Sequence, residues 1–286
     1  MTARMSVVIP AHDEATVIGR LLEALAGDPR GHELELVVVA NGCTDTTARV
    51  AASYGASVTV VEIEEASKIA ALEAGDRAAT VFPRAYVDAD VVVDVAALLA
   101  LADELERPGG PLVASPRLEV DTDGASWPVR QHYRIWEFTD YRRTGHIGSG
   151  VYALSADGRR RFGRWPQVIA DDRFVQQCFL PGERRTLDEH AFTVRSARTL
   201  PAHLRRSTRI ARGNLELPGE LQHATVAPGG ARAASLVRRV AARPDLWMAF
   251  AVYSVTSTLP RVTARRLIAE QSEPQWARDD TTRVTA

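Results

Sequence analysis

The chain has 286 residues, 45% hydrophobic and 25% charged, which suits one large globular domain with a smaller appendage. Its formal net charge of −1 leaves no electrostatic footprint of a nucleic-acid binder. Cys43 and Cys178 lie far apart and outside any CxxC or Cys/His spacing, so neither a disulfide framework nor a zinc site is indicated, and a reducing cytoplasm is the expected compartment. The opening residues lead straight into an apolar strand without a secretory pattern, and no stretch reaches the roughly 20 apolar residues of a membrane span.

In chain order, Ser6-Val7-Val8-Ile9-Pro10 is an apolar run ending at proline, and Val17, Ile18, Leu21, Leu22 and Leu25 follow at helical spacing. Leu34 to Ala40 reads as a second buried strand, closed by the turn Asn41-Gly42-Cys43-Thr44-Asp45 and a helix to about Tyr54. Val58 to Ile63 makes a third strand, Lys68 opens a further helix, and Ala85-Tyr86-Val87 is a fourth strand. Apolar strands alternating with helices predict a parallel sheet covered on both faces. Ligands of such sheets sit beyond the carboxyl ends of the strands, where Pro10 to Glu14, Asn41 to Asp45 and Asp88 to Asp90 all fall.

Asp88 and Asp90 are two carboxylates one residue apart after an apolar run. In an extended segment such residues point the same way, and oxygen ligands of this kind favour Mg2+ or Mn2+ with substrate phosphates completing the shell. The competing reading is a solvated strand-end turn. Of 35 basic residues only Lys68 is lysine, which marks a place where a compact ammonium is wanted and a planar guanidinium does not fit; a solvated first-turn lysine is the alternative.

The ordered set Val7-Val8-Ile9-Pro10-Ala11-His12-Asp13-Glu14, Ala40-Asn41-Gly42-Cys43-Thr44-Asp45, Lys68-Ile69-Ala70-Ala71-Leu72-Glu73-Ala74-Gly75 and Asp88-Ala89-Asp90 resembles family 2 inverting glycosyltransferases of the GT-A type. Gly148-Ser149-Gly150-Val151-Tyr152 is similar to that family's acceptor-side glycine segment, and Ile169-Ala170-Asp171-Asp172 to its acidic catalytic motif. The resemblance covers roughly the first 215 residues. It implies a nucleotide-sugar donor, a divalent cation and transfer with inversion to an acceptor that is a glycan, a lipid-linked molecule or a small molecule. Pro10, Ala11, Glu14 and Asn41 would line the nucleoside pocket, Lys68 would lie near the nucleoside or diphosphate, Asp88 would face ribose or metal, and Asp90 would be the main metal ligand. Asn41 stands where the family often has Asp, and an amide both donates and accepts. Gly148, Ser149 and Gly150 would form the acceptor side, with Asp172 as general base and Asp171 in support.

Each assignment has a plainer counterpart. Glu14, Thr44 and Asp45 would serve helix starts, Gly148 and Gly150 a bulge, and the acidic pair a helix N-terminus. Leu112 to Pro116 reads as a strand and Asp121 to Gly124 as a turn; the aromatics of Trp127 to Arg143 would stack on a sugar or dock onto the core. Arg173 to Phe179 reads as helical, Arg184 to Leu187 and Phe192 to Val194 as short strands, and His203 to Asn214 as a basic helix or loop. There Arg209 and Arg212 would reach a diphosphate or form a solvated face. Gly213, where related enzymes often carry Trp, counts against a processive polysaccharide synthase.

The expected organisation is therefore a GT-A α/β domain over 1–215, a linker over 216–230, two helices within 231–270 and a flexible tail over 271–286. The second helix, an apolar run followed by Arg261, Arg265 and Arg266, would pack on the catalytic domain, on a partner copy or in a membrane interface. Two other functions fit a similar sheet: a nucleotidyltransferase, disfavoured by the lack of a glycine-rich basic phosphate loop after the first strand, and a non-catalytic nucleotide-sugar-binding protein.

Overall fold

The computed structural model describes residues 3–143, 146–217 and 229–270. In chain order the elements are β1 (Met5–Ala11), α1 (Ile18–Ala26), β2 (Leu34–Asn41), α2 (Thr47–Ala52), β3 (Val58–Ile63), α3 (Lys68–Ala78), β4 (Arg84–Val87), α4 (Val95–Glu106), β5 (Val113–Asp121), α5 (Trp127–Trp136), α6 (Asp140–Arg143), β6 (Val151–Leu154), α7 (Ala156–Arg160), α8 (Asp171–Gln177), β7 (Arg184–Arg195), α9 (Leu200–Glu216), α10 (Gly229–Ala241) and α11 (Trp247–Ala269). They group into two compact units. The first comprises Met1–Glu119, Ile147–Gln167 and Asp171–Val194; the second comprises Val120–His146, Val168–Ala170 and Arg195–Ala286.

The seven strands lie in the order β3-β2-β1-β4-β6-β5-β7. β3, β2, β1 and β4 are parallel, while β6 runs antiparallel to both β4 and β5. The apolar runs predicted this arrangement because both faces are covered: Val7, Val8 and Ile9 of β1 and Val37, Val38 and Val39 of β2 are all buried. After β1 the chain winds outward to β3 and then returns to place β4 on the other side of β1. That reversal opens a crevice at the carboxyl ends of β1 and β4. Gly75 of α3 allows close packing there, since a Cβ on it would sit 2.2 Å from Val8 Cγ1.

The second unit is helical. α11 packs on α5 and α9, and Ile135, Leu236, Val240, Leu246 and Ala249 form its buried cluster with Phe138, Phe250 and Tyr253 against it. The aromatics of Trp127 to Arg143 thus belong to α5, α6 and the turn between them. Gly213 lets α9 approach residue 169, with its would-be Cβ 2.9 Å from Ile169 Cβ.

Several boundaries differ from the sequence expectation. The two short strands at 184–187 and 192–194 are one strand, β7, because the polar residues between them still continue the extended ladder. α4 was not anticipated: Asp94 caps it by accepting from the Ala97 N–H at 2.7 Å, and its apolar side is buried. α11 continues through Pro260 without a break. The expected linker lies, over 218–228, outside the described residues, as does the expected tail at 271–286. Among the described residues no helix is long and apolar enough to cross a membrane.

Candidate functional site

The loops after β1 and β2 are tied together first. Asn41, buried at the end of β2, donates from Nδ2 to the Ala11 carbonyl at 2.9 Å, and Thr47 Oγ1 accepts the Glu14 N–H at 2.7 Å. Asp13 Oδ1 accepts the Asp45 N–H at 3.1 Å, while Asp45 Oδ1 accepts from the Thr47 N–H at 2.9 Å just ahead of α2, whose N-cap is Thr46. Pro10 pairs in register with Val39 and Ala11 with Ala40, which sets Pro10, Ala11, Glu14 and Asn41 around one loop pair. With Nδ2 turned to Ala11, the buried Oδ1 of Asn41 has no hydrogen-bond partner among the described residues. An unsatisfied buried acceptor of this kind costs on the order of 1–3 kcal/mol.

Lys68 is the first residue of α3, placed there by the Ser67 cap, whose Oγ accepts the Ala70 N–H at 3.2 Å. Its Nζ lies 2.7 Å from Asp88 Oδ1 and 2.9 Å from Asp171 Oδ1. Tyr152 on β6 donates to the other Asp171 oxygen at 3.1 Å. Burial works against the Lys68 ammonium, but the two carboxylates outweigh it and lift its pKa above the usual lysine value. Burial raises the Asp171 carboxyl above the usual carboxylate range; Lys68 opposes the rise, and the neighbouring Asp172 and Asp88 carboxylates add to it. One ammonium therefore balances only part of a cluster of acids.

Asp172, next to Asp171 in the first turn of α8, faces elsewhere. Its Oδ2 accepts the Ser149 N–H at 2.9 Å and its Oδ1 the Arg173 N–H at 2.7 Å. Gly148, Ser149 and Gly150 have φ of +101°, +60° and +118°, so the segment is a tight left-handed turn closed by a bridge from Gly148 to Val151. A Cβ on Gly148 would lie 2.5 Å from Asp172 Cβ, and one on Gly150 would lie 2.7 Å from Val91 Cγ1. The Asp88 N–H donates to the Gly150 carbonyl at 2.8 Å. One turn thus carries Asp88 on one side and Asp172 on the other. Asp13 (φ +49°) and Ser149 are the two non-glycine residues with positive φ among the described residues, and both belong to these loops, where strain clusters when geometry is functional.

Strand alternation does not bring Asp88 and Asp90 onto one face. β4 ends at Val87 and residues 89–90 form a turn, so the period of two has lapsed before Asp90. The donor set still fits a hard cation: Asp88 keeps 36% of its side chain exposed beside Lys68, and Asp90 is half-buried one turn further on. A second cluster was not anticipated from the sequence. His12, Asp13 and Cys43 can bring ligand atoms within 4.8 Å of one another. Burial raises the Cys43 thiol pKa, which disfavours the thiolate a soft metal needs, and Asp13 is already engaged by Thr44 and Asp45.

The first unit thus brings together Pro10, Ala11, Glu14 and Asn41 as one group, and Lys68, Asp88, Gly148, Ser149, Gly150, Asp171 and Asp172 as another, with Asp90 following Asp88. Arg209 and Arg212 lie on α9 in the second unit, where Arg212 pairs with Glu216 at 2.7 Å. Sequence reasoning missed Tyr152 as a partner of the acidic pair. A tyrosine in the four-residue, wholly buried strand β6 was the available signal, because a buried phenol needs a hydrogen-bond partner.

Known proteins share this fold. Uncharacterized glycosyltransferases of Mycobacterium tuberculosis and Mycobacterium bovis are 38% identical over 124 residues, 43% of this chain and 52% of theirs, so the match spans about half the length of these relatives. Among solved structures, the mannosyltransferase PcManGT from Pyrobaculum calidifontis in complex with GDP-Man and Mn2+ superposes with a TM-score of 0.63 at 20% identity, covering 96% of this chain and 89% of that one. TarS 1-349 of S. aureus gives 0.51 at 17% identity over 92% and 91%. Glucosyl-3-phosphoglycerate synthase from Mycobacterium tuberculosis, with Mn2+, uridine-diphosphate and glucosyl-3-phosphoglycerate, gives 0.50 at 19% over 66% and 70%. These likenesses establish the GT-A fold. The profile described as glycosyl transferase family 2 matches residues 6–162, which hold the β1, β2, α3 and β4 loops and the glycine turn but stop short of the acidic pair. With more than half of its length under that profile, this chain belongs to glycosyl transferase family 2.

Proposed function

We propose that the chain is an inverting glycosyltransferase that moves a sugar from a nucleoside-diphosphate sugar to an acceptor nucleophile, in the reducing cytoplasm that its two free cysteines suit. What carries the reading is the joined carboxylate set: Asp88 linked to Asp171 through Lys68, and Asp172 seated on the turn that also holds Asp88. The nucleoside lies against Pro10, Ala11 and Glu14, with Asn41 Oδ1 accepting a ring N–H of the base. GDP and UDP, named with the structural neighbours, both carry such an N–H.

Asp172 takes the acceptor's proton as its oxygen attacks the anomeric carbon; the new glycosidic bond forms while the bond to the donor phosphate breaks, its electron pair leaving with the nucleoside diphosphate. Asp171 stays buried and holds Lys68 and Tyr152 in place. Lys68 presents a fixed positive charge toward the donor. Asp90 and Asp88 would hold Mg2+ or Mn2+, which when bound neutralises charge developing on the diphosphate.

Incubation with a panel of nucleotide sugars and Mn2+ tests the proposal. Release of nucleoside diphosphate is expected. Pyrophosphate would mean nucleotidyl transfer, and thermal stabilisation without turnover would mean a binding protein. UDP or GDP should stabilise the fold more than CDP or ADP, whose rings lack an N–H; the reverse order would remove Asn41 from the pocket.

A further inference from the structure

We propose that the outward face of α11 docks in the plane of an anionic membrane surface. Ala249, Thr256, Pro260 and Ala264 turn inward and are buried in the second unit. On the opposite side Met248, Val255, Leu259 and Val262 are 66%, 63%, 49% and 53% exposed. Their spacing of seven, four and three residues puts them on a single stripe, about 21 Å long at the rise of an α-helix. An apolar stripe of this kind on a water-soluble surface marks a contact site. Trp247, also exposed, sits at its start, and Arg266 follows Val262 one turn on with Arg265 and Arg261 at its flank.

Charge identifies the occupant. Residues 229–270 carry seven arginines against Asp245 and Glu270, in a chain whose net charge is −1. Arg238, Arg261, Arg265 and Arg266 are exposed and form no ion pair among the described residues. Apolar side chains on one helical face with unpaired arginines beside them match the hydrocarbon boundary and anionic headgroups of a bilayer. Two copies meeting on this face would instead each bring positive charge into the contact. With no helix among the described residues long and apolar enough to span, the expected mode is in-plane and reversible.

The test is co-sedimentation of the full chain with vesicles of phosphatidylcholine alone or with about 30 mol% phosphatidylglycerol. Binding is expected to the anionic vesicles only and to fall at high salt. Val255→Glu/Leu259→Glu and Arg261→Glu/Arg265→Glu/Arg266→Glu should each weaken it by about tenfold or more while the thermal melt stays that of the wild type, as exposed positions allow. Wild-type protein that stays in the supernatant, or binds both vesicles equally, overturns the proposal. So does a dimer in solution that Val255→Glu/Leu259→Glu dissociates, which would make the face a contact between copies.

Discussion

Lys68 Nζ stands 2.9 Å from Asp171 Oδ1 and 2.7 Å from Asp88 Oδ1, so the chain's single lysine joins the strand-end carboxylate to the acidic pair. A guanidinium fork at this place would have to spread over two carboxylates spaced for one nitrogen. Lys68→Arg should therefore raise the Michaelis constant for the donor several-fold despite keeping the charge. Lys68→Met should cost about 3 kcal/mol or more in denaturant unfolding, since Asp171 is left buried without its cation. Adding Asp171→Asn should recover part of that loss, and strictly additive effects would argue against the pair.

Asp90 is read as the main ligand of the divalent cation. Asp90→Ala should abolish nucleoside diphosphate release while the variant still unfolds cooperatively, because Asp90 lies in the turn beyond the end of β4. Undiminished activity in excess chelator would remove the cation from the reaction.

The two adjacent aspartates are separable. Asp172→Asn should keep donor affinity and lower turnover by roughly a hundredfold or more, the range of a missing general base. Asp171→Asn, which releases Lys68 from one partner, should act mainly on donor affinity. Normal turnover in Asp172→Asn with an inactive Asp171→Asn would exchange the roles.

Gly148 and Gly55 make a controlled comparison, since both have positive φ. A Cβ on Gly55 meets nothing within 4 Å, whereas one on Gly148 meets Asp172. Gly55→Ala should lower stability by about 1 kcal/mol with activity intact. Gly148→Ala should lose activity beyond what its stability change explains, because Asp172 must move away from the turn.

The helical unit should weaken in acid through His132. Its ring is buried against His203 and Tyr253, and its Nδ1 lies 2.8 Å from Thr256 Oγ1. Burial, together with His203 and Arg261, pushes its pKa down to about 3 from 6.5. Between those values the unfolded chain binds the proton and the folded chain does not, so stability rises with pH across that window and falls as the solution is acidified. The contribution reaches about 1.4 kcal/mol per pH unit. Unfolding curves of wild type and His132→Gln from about pH 6.5 downward should diverge in this sense; parallel curves would show that His132 titrates normally.

By itself the sequence determined the parallel part of the sheet, because β1 and β2 are apolar runs that only a doubly covered sheet can bury, and it placed Pro10, Asn41 and Asp88 at strand ends by the same logic. Lys68 was legible as unusual through composition alone. Its partners were not, since the approach of α3 to α8 depends on packing between segments far apart in the chain. Tertiary structure alone decided that Asn41 turns its Nδ2 to Ala11, that the Gly148–Gly150 turn holds both Asp88 and Asp172, and that Asp90 lies in a turn where strand alternation no longer applies. The physical reason is common to all three. Periodicity reports which face of an element is buried, whereas the direction of a polar group is set by the donor or acceptor that another element brings to it.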